Sequence, residues 1–181
     1  MRTLVITLTF ALLAGAVRAD DPDPDIRNLS AIANAGSVSV RFSLTNAFAD
    51  HDLVRALQSG LPTSFSYIVE IFHDRPRWFD EGLSRSRIEV VATFNSVTRE
   101  YLLNYRRDRK LVRSETFSDL ESLERRMTTI DEPNLFPIGE RRPYKLKVRV
   151  KADFGRRFLF YIVPSSNSTR WRDVRVASEK P

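Results

Sequence analysis

The sequence predicts a mainly β protein, an antiparallel β-sandwich of about eight strands with two short helices. Hydrophobic residues alternate with polar ones over several stretches, which is typical of strands with one buried face. These stretches follow one another in meander-like runs, and the helical patterns interrupt them only in the connections. Because no strand–helix alternation repeats along the chain, the pattern does not favour a parallel sheet.

The first nineteen residues predict a signal for export. Arg2 supplies a positive charge, residues 4–16 are largely apolar, and Val17-Arg18-Ala19 has small side chains at the two positions that determine cleavage. A membrane anchor is the alternative, but this apolar run is too short to cross about 30 Å of hydrocarbon at ~1.5 Å per residue. We therefore expect cleavage after residue 19 and no transmembrane segment in the mature chain.

The composition excludes several kinds of chemistry. The 181 residues contain no Cys, so thiol catalysis, Cys-ligated zinc, iron–sulfur clusters and disulfides are all ruled out. With only two His, a His-rich metal site is not expected either, and we expect no cofactor. An exported protein of this size without Cys is more typical of a bacterial periplasm than of a small eukaryotic secreted domain. We expect a periplasmic protein, which also excludes nucleic acid as a partner.

The domain organisation follows from composition. Residues 20–25 form an acidic Asp/Pro leader, which we expect to be flexible, and residues 26–177 are predicted to form a single β-sandwich domain before a tail at residues 178–181. A hairpin turn is predicted at Arg107-Asp108-Arg109. The alternating and apolar runs predict strands at residues 38–44, 65–71, 88–94, 101–105, 111–116, 144–154, 158–163 and 171–176.

Two helices are predicted in the connections. The first covers residues 50–59 and ends at Gly60. The second covers residues 118–130 and begins with a predicted capping box, in which Ser118 and Glu121 would satisfy each other's backbone amides. Its apolar stripe, which we interpret as core packing, consists of Leu120, Leu123, Met127 and Ile130.

Three short motifs carry a resemblance to a known family. In chain order they are Ala56-Leu57-x-x-Gly60-Leu61-Pro62, Arg75-x-Arg77-Trp78 and Val97-Thr98-Arg99-x-Tyr101. Their order resembles an uncharacterised bacterial exported family catalogued as domain of unknown function 4390, over roughly residues 26–176. The resemblance implies a single exported domain and a link to a membrane histidine kinase, and it carries over no catalytic residue. The segment Arg170-Trp171-Arg172-Asp173 is more basic than the family pattern.

No catalytic motif is present in the sequence. It lacks a Gly-x-Ser-x-Gly elbow, a phosphate-binding glycine loop and a His-Glu-x-x-His zinc motif. His73-Asp74 lies near Asp80-Glu81 and could form a general-base cluster or part of a metal site. A strand end that runs into a polar loop is the simpler interpretation. We therefore expect that the protein is not an enzyme.

The basic residues are concentrated in two strand regions, and one of them forms a ladder. Lys145, Lys147, Arg149 and Lys151 alternate with apolar residues and so share one face of one predicted strand. This ladder could bind anionic lipid head groups, lipopolysaccharide phosphates or an acidic partner. The alternative is a solvated outer face whose like charges discourage aggregation.

A second candidate site is the segment that contains Arg75, Arg77 and Trp78. Arginine and aromatic residues are enriched at protein interfaces, so this segment could contact a partner. Alternatively, Trp78 could be buried and close one end of the sandwich. Taken with the ladder, these residues predict a non-enzymatic periplasmic binding or adaptor domain, with a membrane sensor histidine kinase as a candidate partner. Recognition of anionic envelope components through the basic strand face is the alternative function.

Overall fold

The computed structural model describes residues 23–74, 81–139, 145–156 and 167–178. Two β-sheets and two short helices make up this part of the chain, which confirms the predicted mainly β fold class. Within these residues no helix has the length and apolar character needed to cross a membrane. In chain order the elements are β1 (Asp25–Asn34), β2 (Ser37–Thr45), α1 (His51–Gln58), β3 (Thr63–His73), β4 (Glu81–Asn95), β5 (Glu100–Arg107), β6 (Lys110–Phe117), α2 (Leu120–Thr128), β7 (Thr129–Pro137), β8 (Leu146–Arg156), β9 (Asn167–Ser168), β10 (Arg172–Arg175) and β11 (Ala177–Ser178).

The two sheets pack face to face as a sandwich. The smaller sheet has the strand order β11-β1-β2-β7, and the larger has the order β10-β8-β3-β4-β5-β6, with β9 beside β8. Neighbouring strands are antiparallel except β1 and β11. One apolar core joins the sheets: the Phe42 ring of β2 meets the Tyr67 ring of β3 edge-on, with centroids 5.2 Å apart. Tyr67 also donates a hydrogen bond of 2.7 Å to the Met127 carbonyl.

Strand β8 has the alternation that its sequence predicts. Val148 and Val150 are fully buried in the core, whereas Lys147 and Arg149 lie on the opposite, outer face. Strand β3 differs, because it buries residues on both faces. Ile68 and Phe72 lie on its outer face and are nevertheless only 6% exposed.

The helices agree with prediction in place but not in every boundary. Asp50, the first residue of the predicted helix, is the N-cap of α1, and its carboxylate accepts hydrogen bonds from two backbone amides of the first turn. The predicted capping box at Ser118 is wrong: Asp119 is the N-cap of α2 and accepts from the amide of Ser122 at 2.7 Å. The helix also ends at Thr128, because the chain turns there into β7, and Ile130 is buried as a strand residue.

Two long strands, β1 and β7, were not predicted because bulges interrupt their alternation. In β1 the register against β2 shifts between Arg27 and Ser30, where Asn28 has a φ of 53°. In β7 the residues Pro133 and Asn134 lie in a similar irregularity opposite β2. A bulge adds a residue to one strand and so breaks the period of two that marks strands in a sequence. β1 also begins at Asp25, the last residue of the expected leader, while the predicted strand at 158–163 lies outside the described residues.

Candidate functional site

Three cations of the ladder lie side by side on the outer face of the larger sheet. Lys147, Arg149 and Lys151 belong to β8 and stand opposite residues of β3. The fourth, Lys145, is exposed and precedes the strand, and its carbonyl accepts a hydrogen bond from the Asp74 amide at 2.8 Å. Three of the four residues therefore share one strand face as expected, whereas Lys145 lies before the strand.

These three cations are paired with carboxylates. Lys147 Nζ lies 3.0 Å from Asp74, and Lys151 Nζ lies 3.3 Å from Asp153. Arg149 Nε donates to Glu70 on the neighbouring strand at 2.6 Å. The hydrogen bond from Lys147 is the main cause that lowers the pKa of Asp74 below its ordinary value. The ladder is therefore a mixed-charge surface and not a row of free positive charges.

Aromatic residues lie directly against the central arginine of the ladder. The guanidinium carbon of Arg149 lies 4.8 Å from the ring centroid of Trp171 and 5.4 Å from that of Phe72. Cations over aromatic rings at these distances are attracted by the ring's charge distribution. Trp171 is 40% exposed. We call Phe72, Arg149 and Trp171 the aromatic–arginine patch.

An open groove of about 640 Å³ adjoins the patch. Phe72, Arg149 and Glu70 border it on one side, and Gly82 and Arg85 border it on the other. Gly82 stands opposite Phe72, and a Cβ atom added at Gly82 would have no neighbour within 4 Å. The groove therefore lies open over this glycine, and its volume is in the range of ligand-binding clefts, about 300–1,000 Å³.

The second predicted site lies outside the described residues. Arg75, Arg77 and Trp78 fall between β3 and β4, the two strands whose adjoining ends border the groove. Of the cluster considered with His73, Asp80 and the side chain of Glu81 lie outside the described residues. Asp74 pairs with Lys147 and with Arg175, and no group of three metal-ligating side chains occurs in the ranges described above.

Comparison with known families agrees with the resemblance noted from the sequence. The model of a family described as domain of unknown function (DUF4390) matches residues 21–157. The chain belongs to this family. Of the aromatic–arginine patch, Phe72 and Arg149 lie within the match and Trp171 lies beyond it. Neither the curated proteins nor the solved structures gave a match.

The sequence did not indicate the partners that complete this surface. Glu70 and Arg149 are 79 residues apart in the chain and meet only because β3 and β8 are neighbours in the sheet. One signal was available: Ile68 and Phe72 are apolar at positions that alternate with the core-facing residues of β3. Apolar residues on the outward positions of a strand indicate that something covers that face, and here the ladder side chains cover it.

Proposed function

We propose that this protein is a non-enzymatic binding or adaptor domain of the bacterial periplasm that docks a protein partner on the aromatic–arginine patch. The observation that carries the proposal is the position of Arg149 between two aromatic rings at the edge of an open groove. Aromatic residues and arginine are enriched in the energetically dominant centres of protein interfaces. A membrane sensor histidine kinase is the candidate partner that the family resemblance suggests.

The pairing of the ladder favours this function over recognition of anionic envelope components. Head-group binding depends on uncompensated positive charge. Three of the ladder cations already contact carboxylates, which reduces the attraction that the face exerts on an anionic surface. A partner that packs an apolar or aromatic side chain on Trp171, which is 40% exposed, gains instead from burial, which salt weakens little.

A site-specific crosslink tests the proposed surface. In one variant a photo-crosslinking amino acid replaces Ser84, which is exposed and lines the groove. In a second variant of the same chain it replaces Val97, which is 89% exposed in the turn between β4 and β5. We expect crosslinking in intact envelopes to give a discrete protein adduct from Ser84 and none from Val97. Equal labelling from both positions would contradict docking at the groove.

A matched pair of glycine variants then tests the groove itself. Gly82→Leu projects a side chain into the open space of the groove at Gly82, whereas Gly82→Ala adds a single methyl group there. We expect the adduct from Ser84 to disappear in Gly82→Leu and to persist in Gly82→Ala and in high salt. Loss of the adduct in high salt, together with sedimentation of the protein with anionic phospholipid vesicles, would favour the head-group function instead.

A further inference from the structure

A second cleft lies where the outer edges of the two sheets approach each other. It has a volume of about 570 Å³ and is lined by residues of β2, β6, α2 and β7. β6 and β7 are the terminal strands of their sheets, so no further strand closes this side in the described part of the chain. The residues that line the cleft are Ser39, Arg41, Arg113, Arg126, Asp131 and Pro133.

Two of the three arginines in this cleft have carboxylates of their own. Arg41 donates from Nε and Nη2 to one oxygen of Asp131, at 3.0 and 2.6 Å. Arg126 donates to both oxygens of Glu115: its Nε lies 3.0 Å from Oε2, and its Nη2 lies 3.0 Å from Oε1. The contact of Arg126 is the two-pronged geometry in which a planar guanidinium matches a planar carboxylate.

Arg113 is the exception. Its Nε lies 3.1 Å from a Glu115 oxygen, within reach of an ion pair, but the two atoms do not form a hydrogen bond. Glu115 is already held by both nitrogens of Arg126. Arg113 and Arg126 therefore share the carboxylate of Glu115, so three guanidiniums face two carboxylates in this cleft.

The Arg113 guanidinium is held in place by an aromatic ring. Its central carbon lies 3.9 Å from the centroid of Tyr105. Tyr105 in turn donates from its hydroxyl to Glu132 at 2.5 Å, and Arg107 donates to the other oxygen of Glu132 at 2.9 Å. Glu132 is only 4% exposed, so this network is fixed within the sandwich beneath the cleft. A stacked guanidinium with a fixed plane loses little freedom when a ligand binds.

We propose that this cleft binds a single carboxylate group, held by the two terminal nitrogens of Arg113, since its Nε is buried. Three guanidiniums and two carboxylates leave one positive charge, which matches one negative charge of a ligand. A phosphate dianion would bring a second charge close to Asp131, which lines the cleft, and to Glu115, which pairs with Arg113 and Arg126. The carboxylate can belong to a small organic acid or to the C-terminus of a peptide. This site is separate from the aromatic–arginine patch and does not depend on the function proposed for it.

Nitrogen-15 NMR of the arginine side chains tests the proposal on the purified protein. The probes are propionate, N-acetyl-dialanine with a free C-terminus, the amide of the same peptide, and inorganic phosphate. We expect propionate or the free peptide acid to shift the Arg113 Nε–H resonance saturably in the millimolar range, with no saturable shift from the amide. Binding of both acids equally assigns the site to a carboxylate alone, and tighter binding of the peptide acid assigns it to a chain terminus.

Variants separate the guanidinium fork from charge alone. Arg113→Lys keeps the charge and loses the fork, so we expect about tenfold weaker binding, read from the Arg126 Nε–H resonance in the same cleft. Arg125→Lys is the matched control, because Arg125 pairs with Glu121 on the exposed side of α2 and should bind as the wild type does. Any one of three results would overturn the proposal. These are a response of the wild type that does not saturate, an unchanged affinity in Arg113→Lys, and tighter binding of phosphate than of either acid. If Arg113→Lys fails to fold, the contrast between acid and amide in the wild type decides it.

Discussion

The hydrogen bond from Tyr105 to Glu132 should contribute measurably to stability, and Tyr105→Phe removes it with little other change. The substitution deletes one hydroxyl and leaves the ring, with Arg113 stacked on it, in place. It leaves the buried Glu132 carboxylate with Arg107 as its remaining partner among the side-chain contacts described. Hydrogen bonds to charged groups contribute about 1.5–3 kcal/mol, so we expect Tyr105→Phe to lower the free energy of unfolding by about 2 kcal/mol.

Denaturant and thermal unfolding measure this loss. For a chain of this length, about 2 kcal/mol corresponds to a fall of roughly 4–8 °C in the melting temperature. Tyr101→Phe on the same strand is the matched control. Tyr101 is also buried, at 7% exposed, but its hydroxyl makes no hydrogen bond among the described residues, and its ring packs on Phe94. We expect that variant to unfold within about 0.5 kcal/mol of the wild type.

A double-mutant cycle isolates the pair. Glu132→Gln keeps the shape of the side chain and an oxygen that accepts from Tyr105, but it removes the charge. We expect the two substitutions to be non-additive by about 1 kcal/mol, because residues in one hydrogen-bonded network couple by roughly 0.5–3 kcal/mol. Equal stabilities for Tyr105→Phe and Tyr101→Phe, or strict additivity in the cycle, would refute the role given to this bond.

Three further predictions concern the turns and titrating groups. Arg109 has a φ of 69° in the turn between β5 and β6, a left-handed conformation that glycine adopts without strain. Arg109→Gly should therefore raise the free energy of unfolding, measured by denaturant titration, by about 0.5–1 kcal/mol. Burial raises the pKa values of Tyr67 and Tyr105 above the ordinary 10.0. An absorbance titration should therefore show both phenols ionising only as the protein unfolds. Ionisation of either phenol in the folded state would contradict this. The hydrogen bond from Arg126 lowers the pKa of Glu115, so this pair stabilises the fold above the ordinary pKa of 4.5 and ceases to do so as pH falls through the folded pKa. Glu115→Gln should therefore make the free energy of unfolding fall less steeply on the acid side. An unchanged slope would count against the pairing.

Local patterns in the sequence were sufficient to predict much of the fold. The alternation in β8 separates core from surface correctly, and the end of α1 at Gly60 follows from that residue's φ of 85°, which helices rarely continue through. The hairpin predicted at Asp108 is also present, because Asp108 and Arg109 both adopt positive φ. Each of these features depends on residues close together in the chain, so a single sequence contains the information.

The pairings across the sheets could not be predicted in the same way. Tyr105 and Glu132 belong to different sheets, and their contact depends on how β5 and β7 face each other in the sandwich. The pairing of Arg149 with Glu70 could not be predicted either, because Glu70 lies on a distant segment of the chain. Charge patterning along one strand therefore describes a surface only after the neighbouring strands are known.

This distinction explains why the two candidate sites should respond differently to salt. On the outer face of the larger sheet, the ion pairs of Lys147 and Arg149 leave burial of the exposed Trp171 ring as the main contribution to binding, and burial changes little with ionic strength. In the cleft between the sheet edges, Arg113 attracts its ligand by charge in a partly open site, so salt should screen that attraction. A partner crosslinked at Ser84 should therefore be retained in high salt, while the affinity of the cleft for propionate falls. If both interactions weaken in parallel, the outer face binds by charge as well, and the proposal that burial on the aromatic–arginine patch drives docking is wrong.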